Sequence, residues 1–221
     1  MKTKIILTKD NSPTLFNETL NASYHSINGA LQESMHIFIN NGLLNIISKY
    51  SELNILEVGM GTGLNVLLSI IESQKFFDKK INYLAIEKCP LSNSILTEVS
   101  NYLPFKDFKN IFYQIHSNNK EEIIENFRLI KFYEDVHQAL NKIEDESTHL
   151  VYYDAFAPSS QPEMWNKEIF EKLFMKMKSD GILVTFCAKG EFKRNLKSIG
   201  FVVESLPGAN GKREMTRAIK P

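Results

Sequence analysis

Ile55-Leu56-Glu57-Val58-Gly59-Met60-Gly61-Thr62-Gly63-Leu64-Asn65 is the stretch on which the fold turns. A short apolar run leads into three glycines, and Leu64, Leu67, Leu68 and Ile71 then recur at helical spacing. The pattern predicts strand, glycine turn, helix. Glycines let the backbone take positive φ and come close to a ligand. The free N–H groups at the helix start favour a polar or anionic group. A dinucleotide fingerprint would put its third glycine where Leu64 stands, and the Gly-Lys-Ser/Thr of a P-loop is absent. A glycine-rich connection with no ligand is the alternative at this point.

Outward from this turn, the chain reads as alternating strands and helices. Residues 54–58, 81–86, 129–133, 149–153 and 182–186 are core strand candidates, with closing strands at 201–206 and 213–219. The last two are joined by a short turn at 208–211, so they are expected to pair antiparallel. Helices are expected near 92–103, 136–143, 168–178 and 192–199, with a short strand at 111–115 and a helical turn at 121–127. Asp180-Gly181 reads as a turn. Before the core, residues 4–8 and 14–16 flank Asp10-Asn11-Ser12-Pro13 as a hairpin. A helix from about residue 29 to residues 40–42 follows it. The expected organisation is an N-terminal extension (1–50) packed on one Rossmann-like α/β domain (51–221). That domain has a mostly parallel seven-stranded sheet with an antiparallel C-terminal strand.

In parallel α/β sheets, ligands bind beyond the carboxyl ends of the strands. Glu57, Glu87, Asp135 and Asp154 all lie at or next to such ends. Glu87 fits a ribose-hydroxyl acceptor. Asp135 reads equally as an acceptor for an adenine amino group or as the cap of the next helix.

Composition limits the classes. With 43% hydrophobic residues, including 15 Phe and 8 Tyr, the chain can build a sizeable core. No apolar run reaches membrane-spanning length. Met1-Lys2-Thr3-Lys4 leads into only three apolar residues, unlike a signal peptide, so a cytoplasmic location is expected. The two cysteines and five histidines have no metal-ligand spacing, and no metal is expected. The 26 basic and 26 acidic residues balance, which argues against general nucleic-acid affinity. Their distribution is uneven, however. Lys189, Lys193, Arg194, Lys212 and Arg213 gather toward the C-terminus, either as a phosphate-binding face or as ordinary solvated positions.

The E-x-G-x-G-x-G pattern of Glu57 to Gly63 resembles motif I of Rossmann-type S-adenosylmethionine methyltransferases. Further pieces narrow the likeness: Tyr24-His25-Ser26 with Gly29-Ala30 and Glu33-Ser34; Glu87-Lys88-Cys89-Pro90-Leu91; Asp154-Ala155-Phe156-Ala157-Pro158 with Pro162-Glu163-Met164-Trp165; Ala188-Lys189-Gly190; and Gly211-Lys212-Arg213-Glu214-Met215. Together they resemble the methyltransferase domain of the bifunctional tRNA 5-methylaminomethyl-2-thiouridine biosynthesis protein (MnmC type) and its free-standing MnmD form. The family often has Gly where this chain has Ala155, and no room remains for the FAD-dependent oxidase half.

The resemblance implies N-methylation of the 5-aminomethyl group of (2-thio)uridine at the wobble position of tRNA, with S-adenosyl-L-methionine as donor. It implies that Gly59, Gly61, Gly63, Glu57, Glu87 and Asp135 hold the cofactor. Asp154 is the catalytic candidate, as a proton acceptor or as a positioning group. Phe156 would wall the pocket. Tyr24 and Glu33 roof it or serve helix packing and capping. The basic residues would contact phosphates of the anticodon arm. Trp165 is expected in the core, although a base-stacking role is open. The alternatives are a methyl- or aminopropyltransferase acting on a small amine, and a non-catalytic RNA-binding protein. Oligomeric state is not legible.

Overall fold

The computed structural model describes residues 2–117, 121–209 and 211–221. The chain opens with an antiparallel pair, β1 (Thr3–Leu7) and β2 (Pro13–Asn17), extended by β3 (Ala22–Ser23). The hairpin expected there is present, and its polar turn has a distant task. Helix α1 (Ala30–Ser34) has Gly29 at its N-cap, which offers no side chain. Its first N–H groups are taken up by the hairpin instead. Ala30 N donates to Thr8 Oγ1 (3.3 Å), Leu31 N to Ser12 Oγ (3.1 Å) and Gln32 N to Asp10 Oδ2 (2.9 Å). Unpaired donors at a helix start are thereby satisfied from another element.

α1 runs into a π-helical segment, Met35–Leu43, and a last α-turn, α2 (Leu44–Ile46). The sequence suggests that the helix stops at Asn40-Asn41-Gly42; it does not. Gly42 is buried, and a Cβ there would lie 3.0 Å from the Tyr152 ring and 3.2 Å from Val184. This glycine gives close approach to the sheet rather than a helix end.

The main sheet is built from β4 (Glu52–Val58), β5 (Lys80–Ile86), β6 (Glu122–Ile124), β7 (Phe127–Phe132), β8 (Thr148–Tyr153), β9 (Met177–Thr185), β10 (Val202–Pro207) and β11 (Glu214–Ile219), in the order β10-β11-β9-β8-β4-β5-β7-β6. Its central pairs, β9·β8, β8·β4, β4·β5 and β5·β7, are parallel, while β10·β11, β11·β9 and β6·β7 are antiparallel. The intervening helices are α3 (Leu64–Ser73), α4 (Asn93–Asn101), α5 (Lys109–His116), α6 (Val136–Leu140), α7 (Lys167–Lys176) and α8 (Gly190–Ile199). Helices cover both faces. One buried cluster joins Ile55, Leu67 and Tyr83 to Leu15, Ile37 and Phe38 of the N-terminal segment. The other joins Leu56, Val151 and Tyr153 to Phe170, Leu196 and Trp165.

The mostly parallel Rossmann-like sheet with antiparallel closing strands is as the sequence suggests, with one strand more. Residues 121–127 form β6 and a hairpin into β7, turning at Asn126 with φ 65°. Residues 111–115 lie in helix α5, where Phe112 and Ile115 are buried three positions apart. A short apolar-rich run such as Ile111-Phe112-Tyr113-Gln114-Ile115 fits either period, and packing against α3 decides it. Asp180-Gly181 lies inside β9, where Asp180 has φ 62°. The expected 208–211 turn includes Asn210, which lies outside the described residues.

Candidate functional site

The parallel registers align Val58 with Ile86, Ile86 with Phe132, and Val58 with Tyr153. The residues that follow therefore emerge at one sheet end. Backbone bonds from Gly59 N to Ile86 O (3.0 Å), Glu87 N to Phe132 O (3.0 Å) and Asp154 N to Val58 O (2.9 Å) fix them there. A cleft opens over that end, lined among others by Gly59, Gly61, Glu87, Asp135, Asp154 and Phe156.

Two glycines of the turn are needed for space as well as for conformation. Gly59 has φ 92°, and a Cβ on it would lie 2.6 Å from the Asp154 carbonyl oxygen. Gly61 has φ 52°, and its Cβ would lie 3.0 Å from the Tyr24 ring. Gly63 is left-handed (φ 74°) at the N-cap of α3, backed by His116, and does not line the cleft. His116 Nε2 donates to Thr62 O (3.0 Å), and burial holds its pKa down at about 4.

Glu87 accepts Gly61 N through Oε2 (2.9 Å) and Cys89 N through Oε1 (2.8 Å). Burial raises its pKa, and those two bonds work against the rise. Each oxygen keeps acceptor capacity, since an ionised carboxylate has about four lone-pair sites. Asp135 caps α6: His137 N donates to its Oδ1 (3.0 Å), while Lys88 Nζ lies 3.2 Å from Oδ2. The bond from His137 comes first among the causes that lower its pKa. The capping reading of Asp135 is therefore present, and the same side chain also lines the cleft.

Glu57 lies beneath the turn, fully buried, and is not part of the cleft wall. Tyr83 OH donates to its Oε2 (2.9 Å) and Asn65 Nδ2 to its Oε1 (2.9 Å). Asn65 Nδ2 also reaches Asp154 Oδ2 (2.9 Å). Burial, with the neighbouring Asp154, raises the Glu57 pKa well above the carboxylate range. Asp154 is raised to about 7, first by burial and then by the charge of Glu33, while Asn65 and Lys212 pull it back. A carboxyl near neutrality at the inner end of a cleft can hold or give up a proton under ordinary conditions.

Residues distant in sequence complete the walls. Phe156 meets Tyr24 edge to face, with ring centroids 4.9 Å apart. Trp165 is buried, as expected for a core aromatic, and its Nε1 donates to Phe156 O (2.7 Å). The role of the indole is thus to hold the Asp-Ala-Phe-Ala-Pro segment from behind. Tyr24 is raised to about 12 by burial and then by Glu87. His25 also lines the cleft. Its Nδ1 is 2.9 Å from Thr14 Oγ1, and burial lowers its pKa to about 4, so it is neutral at pH 7.

Glu33 stands back from the cleft. It accepts Ser26 N (2.8 Å) and pairs with Lys212, whose Nζ lies 4.2 Å from the Phe186 ring centroid. Lys193 pairs with Glu214 (2.7 Å). Lys212 and Lys193 are therefore held by intramolecular partners, whereas Lys189, Arg194 and Arg213 are exposed. His25, Asn65 and Met164 stand within stretches quoted from the sequence, but the sequence assigns none of them a part in the site. Asn65 follows the glycine turn at the second position of α3.

The sequence pattern of a family described as S-adenosyl-L-methionine-dependent methyltransferase matches residues 104–221, more than half of the chain. The chain is 32% identical over 225 residues to the tRNA 5-methylaminomethyl-2-thiouridine biosynthesis bifunctional protein MnmC of Leptospira interrogans, covering 95% of this chain and 34% of that protein. It is 28% identical to the protein of the same name from Campylobacter hominis, with 92% and 31% covered. The chain thus spans about a third of the length of these curated relatives. Among solved structures, MNMC2 from Aquifex aeolicus superposes with a TM-score of 0.85 at 22% identity, covering 99% of this chain and 70% of that one. Spermidine synthase from Thermotoga maritima does so at 0.59 and 10% identity, covering 99% and 69%. Both likenesses concern the fold.

Proposed function

The chain belongs to the S-adenosyl-L-methionine-dependent methyltransferase family, and from that premise we propose that it methylates the exocyclic amine of 5-aminomethyl-(2-thio)uridine at the wobble position of tRNA. The observation that carries this reading is Asp154: a carboxyl with a pKa of about 7, at the inner end of the cleft, beside the Phe156 and Tyr24 rings. The names of the Leptospira and Campylobacter relatives support the choice of substrate.

The residues present fit the cofactor. Glu87 keeps acceptor capacity for two ribose hydroxyls, Val58, Ile86 and Val136 give the cleft apolar sides, and Gly59 and Gly61 leave space that a side chain would fill. Bound there, S-adenosylmethionine supplies an electrophilic methyl group on a sulfonium. Transfer needs a neutral amine, because an ammonium has no lone pair. Asp154 in its ionised form would take the proton of the incoming ammonium and orient the nitrogen. Phe156 and Tyr24 present flat apolar faces to the base that carries the amine. Lys189, Arg194 and Arg213 are the exposed cations available to phosphates of the anticodon arm, and Lys193 and Lys212 would first have to leave their carboxylates.

The test is transfer of labelled methyl groups into tRNA from cells lacking the modification. The expected product is 5-methylaminomethyl-(2-thio)uridine at the wobble position. Label in a small amine with none in tRNA refutes the reading. Asp154→Asn should lose most transfer while binding S-adenosylmethionine at the weaker level of the protonated site, and near-normal turnover would remove its role.

A further inference from the structure

Asn65 is 2% exposed, and its one amide nitrogen lies 2.9 Å from Glu57 Oε1 and 2.9 Å from Asp154 Oδ2. These carboxyls come from neighbouring strands, β4 and the end of β8, and the start of α3 brings the amide between them. The other end of the same side chain is conspicuous in a different way. Asn65 Oδ1 is buried and has no hydrogen-bond partner among the described residues. Leaving a buried acceptor unpaired costs about 1–3 kcal/mol. Turning the amide over would set its carbonyl against the ionised Asp154, which has no hydrogen to donate. The orientation is therefore set by the two carboxyls, and the unpaired oxygen is its consequence.

We propose that Asn65 is a positioning residue for Asp154, its amide spanning Glu57 and Asp154 and holding the Asp154 carboxylate against the cleft wall in the ionised form that a cationic ligand needs. The proposal rests on the reading of this cleft as the cofactor site. Two ionisable groups act on Asp154, Glu33 on α1 and Lys212 just before β11, and Asp154 in turn raises Glu57 on β4 and Tyr83 on β5. Burial and Glu33 favour the neutral acid, while Lys212 and the Asn65 amide favour the anion. A donated hydrogen bond to a charged acceptor is among the stronger ones. Without Asn65, Lys212 alone would oppose the acidic neighbours, and Asp154 would stay protonated to a higher pH.

The experiment is calorimetric titration with S-adenosylmethionine from pH 6 to 9. It needs no tRNA, so failure of the substrate assignment leaves it intact. Affinity of the unaltered protein should rise with pH, with its inflection at about 7, and level off above about 8. In Asn65→Ala the inflection should move up by about one unit, making binding at pH 7 roughly fivefold weaker and near normal at pH 9. Asp154→Asn should remove the inflection, and adding Asn65→Ala to it should change nothing further. Comparison between proteins cancels the titration of the ligand itself. If the alanine variant does not fold, Asn65→Asp keeps the volume, adds a third carboxyl and should move the inflection higher still. An unshifted inflection with uniformly weaker binding, or a further loss in the Asp154→Asn background, would overturn the proposal.

Discussion

Replacing Asp154 by Asn should stabilise the ligand-free protein while disabling it, and the size of the gain should depend on pH. The carboxyl is raised from 3.8 to about 7, chiefly by burial. Its folded-state pKa thus exceeds its unfolded value. The stability linked to its proton is complete below pH 4, falls as pH rises through the window from 4 to 7, and is gone above it. At about 1.4 kcal/mol per unit, a shift of this size amounts to ~4 kcal/mol. Asp154 is only partly covered as a residue, so water in the open cleft should reduce that to roughly 2–4 kcal/mol. An Asn side chain keeps the shape, can accept from Asn65 Nδ2 through its carbonyl, and has no charge to desolvate. Urea unfolding of both proteins at pH 4.5, 5.5, 6.5 and 8 measures the effect. The difference in unfolding free energy should be small at the lowest pH, grow in favour of Asp154→Asn through pH 7, and then stay level. Parallel curves, or a difference largest in acid, would refute the assignment of a raised pKa to this carboxyl.

Other perturbations test the remaining parts. Gly59→Ala, placed at φ 92° with its Cβ 2.6 Å from a backbone carbonyl, should lose about 1–3 kcal/mol of stability and most S-adenosylmethionine affinity, measured by melting and calorimetry. Lys212→Met leaves the buried Glu33 unpaired, so it should cost about 1–3 kcal/mol and move the inflection of cofactor affinity to higher pH, because Lys212 lowers the Asp154 pKa. Asp10→Ala should cost about 1 kcal/mol in urea unfolding by releasing the Gln32 N–H at the start of α1, with cofactor affinity unchanged at saturating folded fraction. Trp165→Phe removes the 2.7 Å bond to Phe156 O and should reduce turnover more than cofactor affinity in the labelled-methyl assay.

The parallel core was legible because its strands lie between turn signals and four of the five have an acidic residue at or next to their end. Glu87 and Asp154 could be placed from that pattern alone, since register in a parallel sheet brings consecutive strand ends together. Segments without such punctuation were misread. Residues 111–115 satisfy strand and helix periods equally, and only the packing of Phe112 and Ile115 against α3 separates the two. The 121–127 hairpin depends on Asn126 taking positive φ, which carries little sequence signal outside Asn-Gly pairs. The pairing of Lys212 with Glu33 and of Lys193 with Glu214 was hidden for another reason. Charge runs show how many cations a segment has and not which carboxylates reach them. Asn65 looked like an ordinary helix position until the strand ends on either side of it were in place.

The roof and the back of the cleft are tied together across the length of the chain. Glu33 and Lys212 are 179 positions apart, and His36 Nε2 meets Pro207 O (2.8 Å) across 171. Tyr24 packs over Gly61 and against Phe156. During synthesis the N-terminal segment emerges first, yet its partners arrive last. Contacts this far apart are slow to form, because a long loop must close before they contribute. The segment from β4 to α6, which carries Gly59, Glu87 and Asp135, is synthesised well before the final strand. Asp154 gains Lys212 as a neighbour only when the C-terminal segment packs, so in a nascent chain this carboxyl lacks the one cation that lowers its pKa.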